Sequence, residues 1–235
     1  MANGFVLGAR VHGTHLTLRR QRISQANDPW WFRHCHPVRP KEEPVTTKSE
    51  IRSRLRRVRR EHVAAQPPAI RSLLFNRPPA PLLDLIPADS VIGLYHATTN
   101  EAPTASYAKF FFERGHTLAL PRFASQQSEM TFSAFSDPFT ESDLTEGPFQ
   151  LMQPAAEAKD LIPHVVFVPL VGFTSDGHRL GQGGGHYDRW LESYRGRTKV
   201  GLAWDVQLVE TLPLEPHDQK LDAVVTPTRM YGPFA

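Results

Sequence analysis

The chain has a single cysteine, Cys35, among 235 residues, so it can close no intramolecular disulfide and build no cysteine-based zinc site. A reducing, cytoplasmic setting is the expectation. No stretch approaches the roughly 18 consecutive apolar residues of a membrane-spanning helix, and no membrane partner is expected. The N-terminus lacks the apolar block of a secretory signal. Eleven histidines are scattered, and none falls in an H-E-x-x-H or similar ligand spacing. Basic charge is scarce where a fold would need it for nucleic acid. Residues 1–47 carry seven Arg/Lys against three acids and residues 48–60 carry seven against one. The remainder carries 13 against 20, a net of −7. An acidic body lacks the clustered cations of a nucleic-acid footprint, so no nucleic-acid partner is expected.

What is present suffices for one sizeable core, since 40% of the residues are hydrophobic. Residues 1–47 show no sustained period. They read as a basic N-terminal extension, either a disordered arm or a start assigned too early, with translation beginning near Val45. From Lys48 the pattern turns helical: Ile51, Leu55, Val58 and His62 make an apolar stripe, and Arg52, Arg56, Arg59 and Arg60 make a second one beside it. Ser49 is the candidate cap. The chain then alternates. Strands are predicted over 91–97, 116–120, 165–173, 199–203 and 223–226, with helices over 104–114 and 186–194. Residues 130–135 predict a hairpin or edge strand, and the Pro- and acid-rich stretch 136–154 a long surface loop. Alternation of this kind predicts one α/β domain over 48–235. Its sheet would be mostly parallel with helices on both faces, a three-layer, Rossmann-like arrangement.

Between the strongest strand and the helix at 186 stands Arg179-Leu-Gly-Gln-Gly-Gly-Gly-His-Tyr-Asp188, with glycine at 181, 183, 184 and 185. Glycine is costly in chain entropy, so such a run is either a flexible surface turn or a place where backbone must approach a ligand. Successive N–H groups leading into a helix N-terminus form an anion nest suited to phosphate. Arg179 could add a two-pronged contact. The Walker A loop is excluded because Gly185 is followed by His186, and the dinucleotide fingerprint G-x-G-x-x-G fails at the same residue.

That segment is similar to the signature of the 5-formyltetrahydrofolate cyclo-ligase family. The lead-in from Val168 to Gly177 and the later run through Val200-Gly-Leu-Ala-Trp-Asp205, Leu212-Pro213, His217-Asp218 and Leu221-Asp222 resemble the same family. His186 departs from it, standing where the family usually has tyrosine, and Pro103 replaces a commonly acidic neighbour of Glu101. The resemblance implies an ATP site formed by Lys48, Ser49, Glu50, Ile51 and Arg52 at the start of the first helix. The loop residues Arg179, Leu180, Gly181, Gln182, Gly183, Gly184, Gly185, His186 and Tyr187 would complete it. For Lys48 and Arg52 the alternative is a solvated basic helix face. Charge-assisted bonds to phosphate are worth roughly 1.5–3 kcal/mol each.

Glu101, Arg122, Gln182, Gly183, Gly184, Gly185 and His186 would bind the reduced-folate substrate. Asp188 and Asp218 would hold Mg²⁺, with a first-turn acid on the helix dipole as the other role for Asp188. Lys48, Arg52, Arg179 and Tyr187 would act in catalysis. Asp205 and Asp222 are expected to be structural. The implied activity is ATP- and Mg²⁺-dependent conversion of 5-formyltetrahydrofolate to 5,10-methenyltetrahydrofolate by a cytoplasmic monomer. Its rivals are a non-catalytic nucleotide- or RNA-binding relative, and a ligase of another substrate on the same scaffold.

Overall fold

The computed structural model describes residues 47–234 apart from residue 72. The expected N-terminal extension, the alternative start near Val45 and Cys35 lie outside the described residues. Helix α1, Lys48–Ala65, begins with a reciprocal cap: the Thr47 hydroxyl accepts the Glu50 N–H at 3.3 Å, and Glu50 accepts the Thr47 N–H at 3.2 Å. Two orphan donors are thereby satisfied. The cap is Thr47, so Ser49, expected in that role, falls within the first turn. The buried stripe also differs from expectation, running through Ile51, Leu55, Arg59 and Val63. Arg59 turns inward because its guanidinium reaches the Leu170 carbonyl at 3.4 Å. His62 stays half-buried with its ring 5.5 Å from that of Trp204.

Short helices α2 (Pro68–Arg71) and α3 (Ala80–Leu83) precede β1 (Val91–Gly93), and α4 (Ala105–Phe112) crosses to β2 (Thr117–Arg122). The chain continues through β3 (Thr131–Ala134), the hairpin β4 (Leu144–Glu146) and β5 (Met152–Pro154), β6 (Asp160–Leu161) and β7 (Val165–Pro169). A small ribbon, β8 (Gly172–Phe173) with β9 (Arg179–Leu180), leads to α5 (His186–Ser193), then β10 (Thr198–Leu202), β11 (Ala223–Val225) and β12 (Met230–Tyr231).

The central sheet has the order β12-β11-β10-β7-β1-β2-β3-β6. Strands β2, β1, β7, β10 and β11 are parallel neighbours, with β3, β6 and β12 antiparallel at the margins. Residues 165–168 of β7 are wholly buried, as a central parallel strand covered on both faces must be. On one face Ile92, Leu118, Val165, Phe167 and Val200 pack against Tyr107 and Phe111 of α4 and Val63 of α1. On the other, Ala119, Phe132, Val166, Val168 and Val224 pack against Trp190 and Leu191 of α5. The expected α/β class with two covered faces is what the chain adopts.

Counted in chain order, the parallel strands lie 2-1-3-4-5 across the sheet, a doubly wound order whose direction reverses between β1 and β7. Loops leaving the C-terminal ends of those two strands diverge and open a crevice. Three expectations change in detail. The strand expected over 165–173 breaks at Pro169, so its last residues join the separate ribbon. The 130–135 segment forms the second arm of a β2–β3 hairpin, one of the two expected readings, but it is an inner strand and not an edge, because β6 pairs with its other side. The stretch 136–154 is no bare loop, because it contains the β4–β5 hairpin.

Candidate active site

A cleft of about 690 Å³ occupies the crevice, within the range typical of small-molecule sites. Its walls come from the loop after β1, the end of β2, the β4–β5 hairpin, the glycine loop, the first turns of α1 and α5, and residues 215–218.

One end is built from charge and bare backbone. Lys48 donates to Asp218 Oδ2 at 2.7 Å and Oδ1 at 3.0 Å, and lies 3.2 Å from Glu215 Oε2. Burial pushes the Asp218 carboxyl up, but the Lys48 hydrogen bond and charge outweigh this and hold it below its ordinary value. The Arg179 side chain is only 4% exposed and meets Asp188 Oδ1 at 2.5 Å. Burial lowers the Arg179 pKa from the arginine norm, opposed by Asp188 and then Asp218. The guanidinium therefore senses both carboxylates. Asp188 Oδ1 also accepts the Gln219 N–H at 3.4 Å, which ties α5 to the 215–218 turn.

The glycine loop lies between these pairs. Gly183 has φ +111° and Gly185, the cap of α5, has φ +66°, conformations that side-chain-bearing residues rarely adopt. No side chain caps α5, so its first N–H groups remain available at a cleft-lining turn. Arg52 holds the loop from beneath through Nε to the Gly181 carbonyl at 2.9 Å.

The other end is aromatic and apolar. His186 sits with its ring centroid 4.9 Å from Phe123 and 5.8 Å from Phe149, and those two phenyl rings are 4.9 Å apart. Met130, Leu151 and Met152 extend the surface. Burial, then the neighbouring Arg189, lowers the His186 pKa, so the ring is neutral at neutral pH. Arg189 stands 3.1 Å from its Nδ1. The Gln153 amide clamps the Phe123 backbone, accepting its N–H and donating to its carbonyl, both at 3.0 Å. Glu101, Gln182, Tyr95, His96 and Tyr187 also line the cleft. The Tyr187 hydroxyl is buried with no partner within the protein, and burial followed by the Glu101 charge raises its pKa well above the usual phenol.

Most residues expected from the sequence therefore converge on one cleft, and four do not. Ser49 and Glu50 belong to the helix start, with Glu50 engaged in the cap, and Ile51 is buried against Leu55, Val171 and Leu180. Arg122 is flanked by cleft residues Pro121 and Phe123 but does not line the cleft itself. Alternation along β2 turns it aside. Asp205 and Asp222 are structural as expected: Asp205 accepts from the Thr226 and Thr228 hydroxyls, and Asp222 from the Lys199 N–H. Sequence reasoning missed Phe123, Met130, Phe149, Leu151, Met152 and Gln153. The one local signal was the Gly147-Pro148 turn between two short alternating runs.

These features define an α/β protein with a small-molecule cleft at the switch point of its sheet, suited to anions at one end and to a flat ring at the other. The profile of the 5-formyltetrahydrofolate cyclo-ligase family matches residues 44–227, and the chain belongs to that family. It is 41% identical over 97 residues to the Escherichia coli 5-formyltetrahydrofolate cyclo-ligase, covering 39% of this chain and 53% of that protein. The chain thus matches about half the length of this relative. The Haemophilus influenzae enzyme of the same name is 29% identical over 136 residues, covering 55% of this chain and 72% of that one. In structure, the chain resembles a 5,10-methenyltetrahydrofolate synthetase from Mycoplasma pneumoniae with TM-score 0.57 and 24% identity, covering 76% of this chain and 98% of the other. The Aquifex aeolicus synthetase gives TM-score 0.57 at 23% identity, with coverage of 80% and 93%. These two likenesses concern the fold.

Proposed function

We propose that the chain converts 5-formyltetrahydrofolate to 5,10-methenyltetrahydrofolate, with ATP hydrolysed to ADP and phosphate. The observation that carries this is the joining, in one cleft, of an anion-binding backbone loop and an aromatic corner, with the carboxylate of Glu101 lining the same cleft. A triphosphate and a pterin fit those two ends, and the family membership supports the pairing.

A formamide oxygen is a poor leaving group. Attack of the formyl oxygen on the γ-phosphorus, with cleavage of the bond to ADP, converts it into a phosphate ester. The folate N10 then attacks the activated carbon and gives up its proton. Loss of inorganic phosphate by C–O cleavage leaves the N5–CH–N10 amidinium. The protein's work is positioning and charge stabilisation. Lys48, Arg52, Arg179 and the amides of residues 181–187 hold the phosphates, Glu101 and the rings of Phe123, Phe149 and His186 hold the pterin, and the Tyr187 hydroxyl has a donor to offer a ligand. The donor set suits magnesium: Asp188, which accepts the N–H of Gln219, and the neighbouring Asp218 offer hard carboxylate oxygens, and Glu215, His217 and Asp218 bring ligand atoms within 4.8 Å of one another. Asp188 and Asp218 would hold the ion, which would supply charge neutralisation on the phosphates.

The RNA-binding alternative would need the arginines of α1 free for phosphates outside the fold. Of the helix's six arginines, Arg56 and Arg59 are instead committed to carbonyls within the fold, and Arg52 lines the cleft. The proposal carries with it a cytosolic location, in keeping with the single cysteine, and a monomer. Among the described residues no helix is long and apolar enough to cross a membrane. The test is to mix purified protein, Mg-ATP and 5-formyltetrahydrofolate and follow the methenyl chromophore. Growth of the chromophore with equimolar ADP is expected. ATP hydrolysis indifferent to the folate would point to a ligase of another substrate.

A further inference from the structure

The two ends of the cleft are tied together by a residue outside it. Arg56 does not line the cleft, yet its Nε donates to Gln182 Oε1 at 3.1 Å and its Nη2 to the Gln182 carbonyl at 2.7 Å. Gln182 Nε2 in turn donates to Glu101 Oε1 at 3.2 Å, and Glu101 Oε2 accepts the Thr98 N–H at 2.9 Å. A guanidinium offers only donors and a carboxylate only acceptors. The Gln182 amide can therefore face one way: oxygen to Arg56, nitrogen to Glu101. Gln182 is flanked by Gly181 and Gly183, so no neighbouring side chain in the loop braces it. The two-pronged contact from Arg56 does so, and a lysine, with its point charge, cannot reproduce that fork.

We infer that Arg56 is a positioning residue. Through Gln182 it sets Glu101 against the substrate ring, and through the Gln182 carbonyl it holds the glycine loop in its phosphate-ready shape. The first half rests on the proposed function; the second does not. The experiment is a double-mutant cycle on Arg56→Leu and Gln182→Leu, with Arg56→Lys as the conservative variant. Arg56→Leu raises the KM for 5-formyltetrahydrofolate about tenfold, the order expected for losing a hydrogen bond to a charged group, and the loosened loop raises the KM for ATP by a smaller factor of about threefold. In the Gln182→Leu background the Arg56 substitution adds little, as coupled residues require, and Arg56→Lys recovers only part of the loss. Additive losses, or a rise confined to the KM for ATP, would overturn the coupling to Glu101. Amide exchange over residues 181–185, read by mass spectrometry without any substrate, is faster by about tenfold in Arg56→Leu. Unchanged exchange would overturn the loop-holding role whether or not folate is turned over. A wild-type protein with a protected loop and no cyclisation would strike the proposed function alone.

Discussion

At one end of the cleft the groups offered to a ligand are backbone amides and ion pairs; at the other they are rings and thioethers, several of them on a hairpin. The first end is tethered by Arg52 of the cleft wall and by Arg56 behind it, and its Arg179 is almost wholly buried against Asp188. The second is looser. Phe149, Leu151 and Met152 are 36–40% exposed, and the hairpin is held to the segment at the end of β2 by Gln153, by Gln126 donating to the Pro148 carbonyl, and by the Phe123–Phe149 ring contact. A preorganised end suits charge that develops during a reaction, whereas an adaptable apolar end suits grip on a ring. Damage to the first should therefore abolish turnover, and damage to the second should raise KM by degrees.

The largest break in that contrast is Arg179→Met. It removes a cation and strands Asp188, so turnover should fall by at least about 10³-fold. Unfolding stability should fall by about 3 kcal/mol; denaturant titration and single-turnover kinetics measure the two. Activity within tenfold of wild type would remove Arg179 from the anion end. Next is Gly183→Val, which forces a β-branched residue to φ +111°. Roughly a 100-fold loss of turnover is expected with the melting temperature nearly kept, because the strain of a few kcal/mol is confined to the loop; full activity would mean the loop is not the phosphate cradle. Phe149→Ala should raise the folate KM about fivefold through lost ring contact and leave the ATP KM unchanged. Equal effects on both substrates would erase the division between the ends.

The smallest effect concerns pH. Burial and Arg189 hold the His186 pKa below its ordinary value, so the ring is neutral through neutral pH. It gains its proton at a lower pH than an ordinary imidazole does. Protonation then sets a charge among Phe123, Phe149 and Arg189, and folate affinity should weaken on the acid side. In His186→Phe that acid-side loss of kcat/KM should shrink; an unchanged profile would clear His186 of it.

How far the sequence revealed this divides along the same line. The glycine loop was legible because its composition is costly, and β7 because buried parallel strands read as unbroken Val and Phe. Lys48 and Asp218 were legible as site residues through family resemblance, but not as a pair, since 170 positions separate them. The strand order that makes the crevice is likewise a long-range property with no local signal. Arg59 misled because a helical arginine usually points to water, and nothing nearby in sequence announces the Leu170 carbonyl that draws it in. The hairpin was hidden because β4 and β5 are each three residues long and sit in a stretch whose prolines and acids resemble those of a loop.

The central claim is that the two ends meet at the formyl oxygen, which takes the γ-phosphoryl group from ATP and leaves with it. The most direct measurement uses 5-formyltetrahydrofolate labelled with ¹⁸O in the formyl group and Mg-ATP, with mass spectrometry of the released phosphate. One labelled oxygen should appear in phosphate for each methenyl product formed. Label recovered in water, with unlabelled phosphate, would contradict the account.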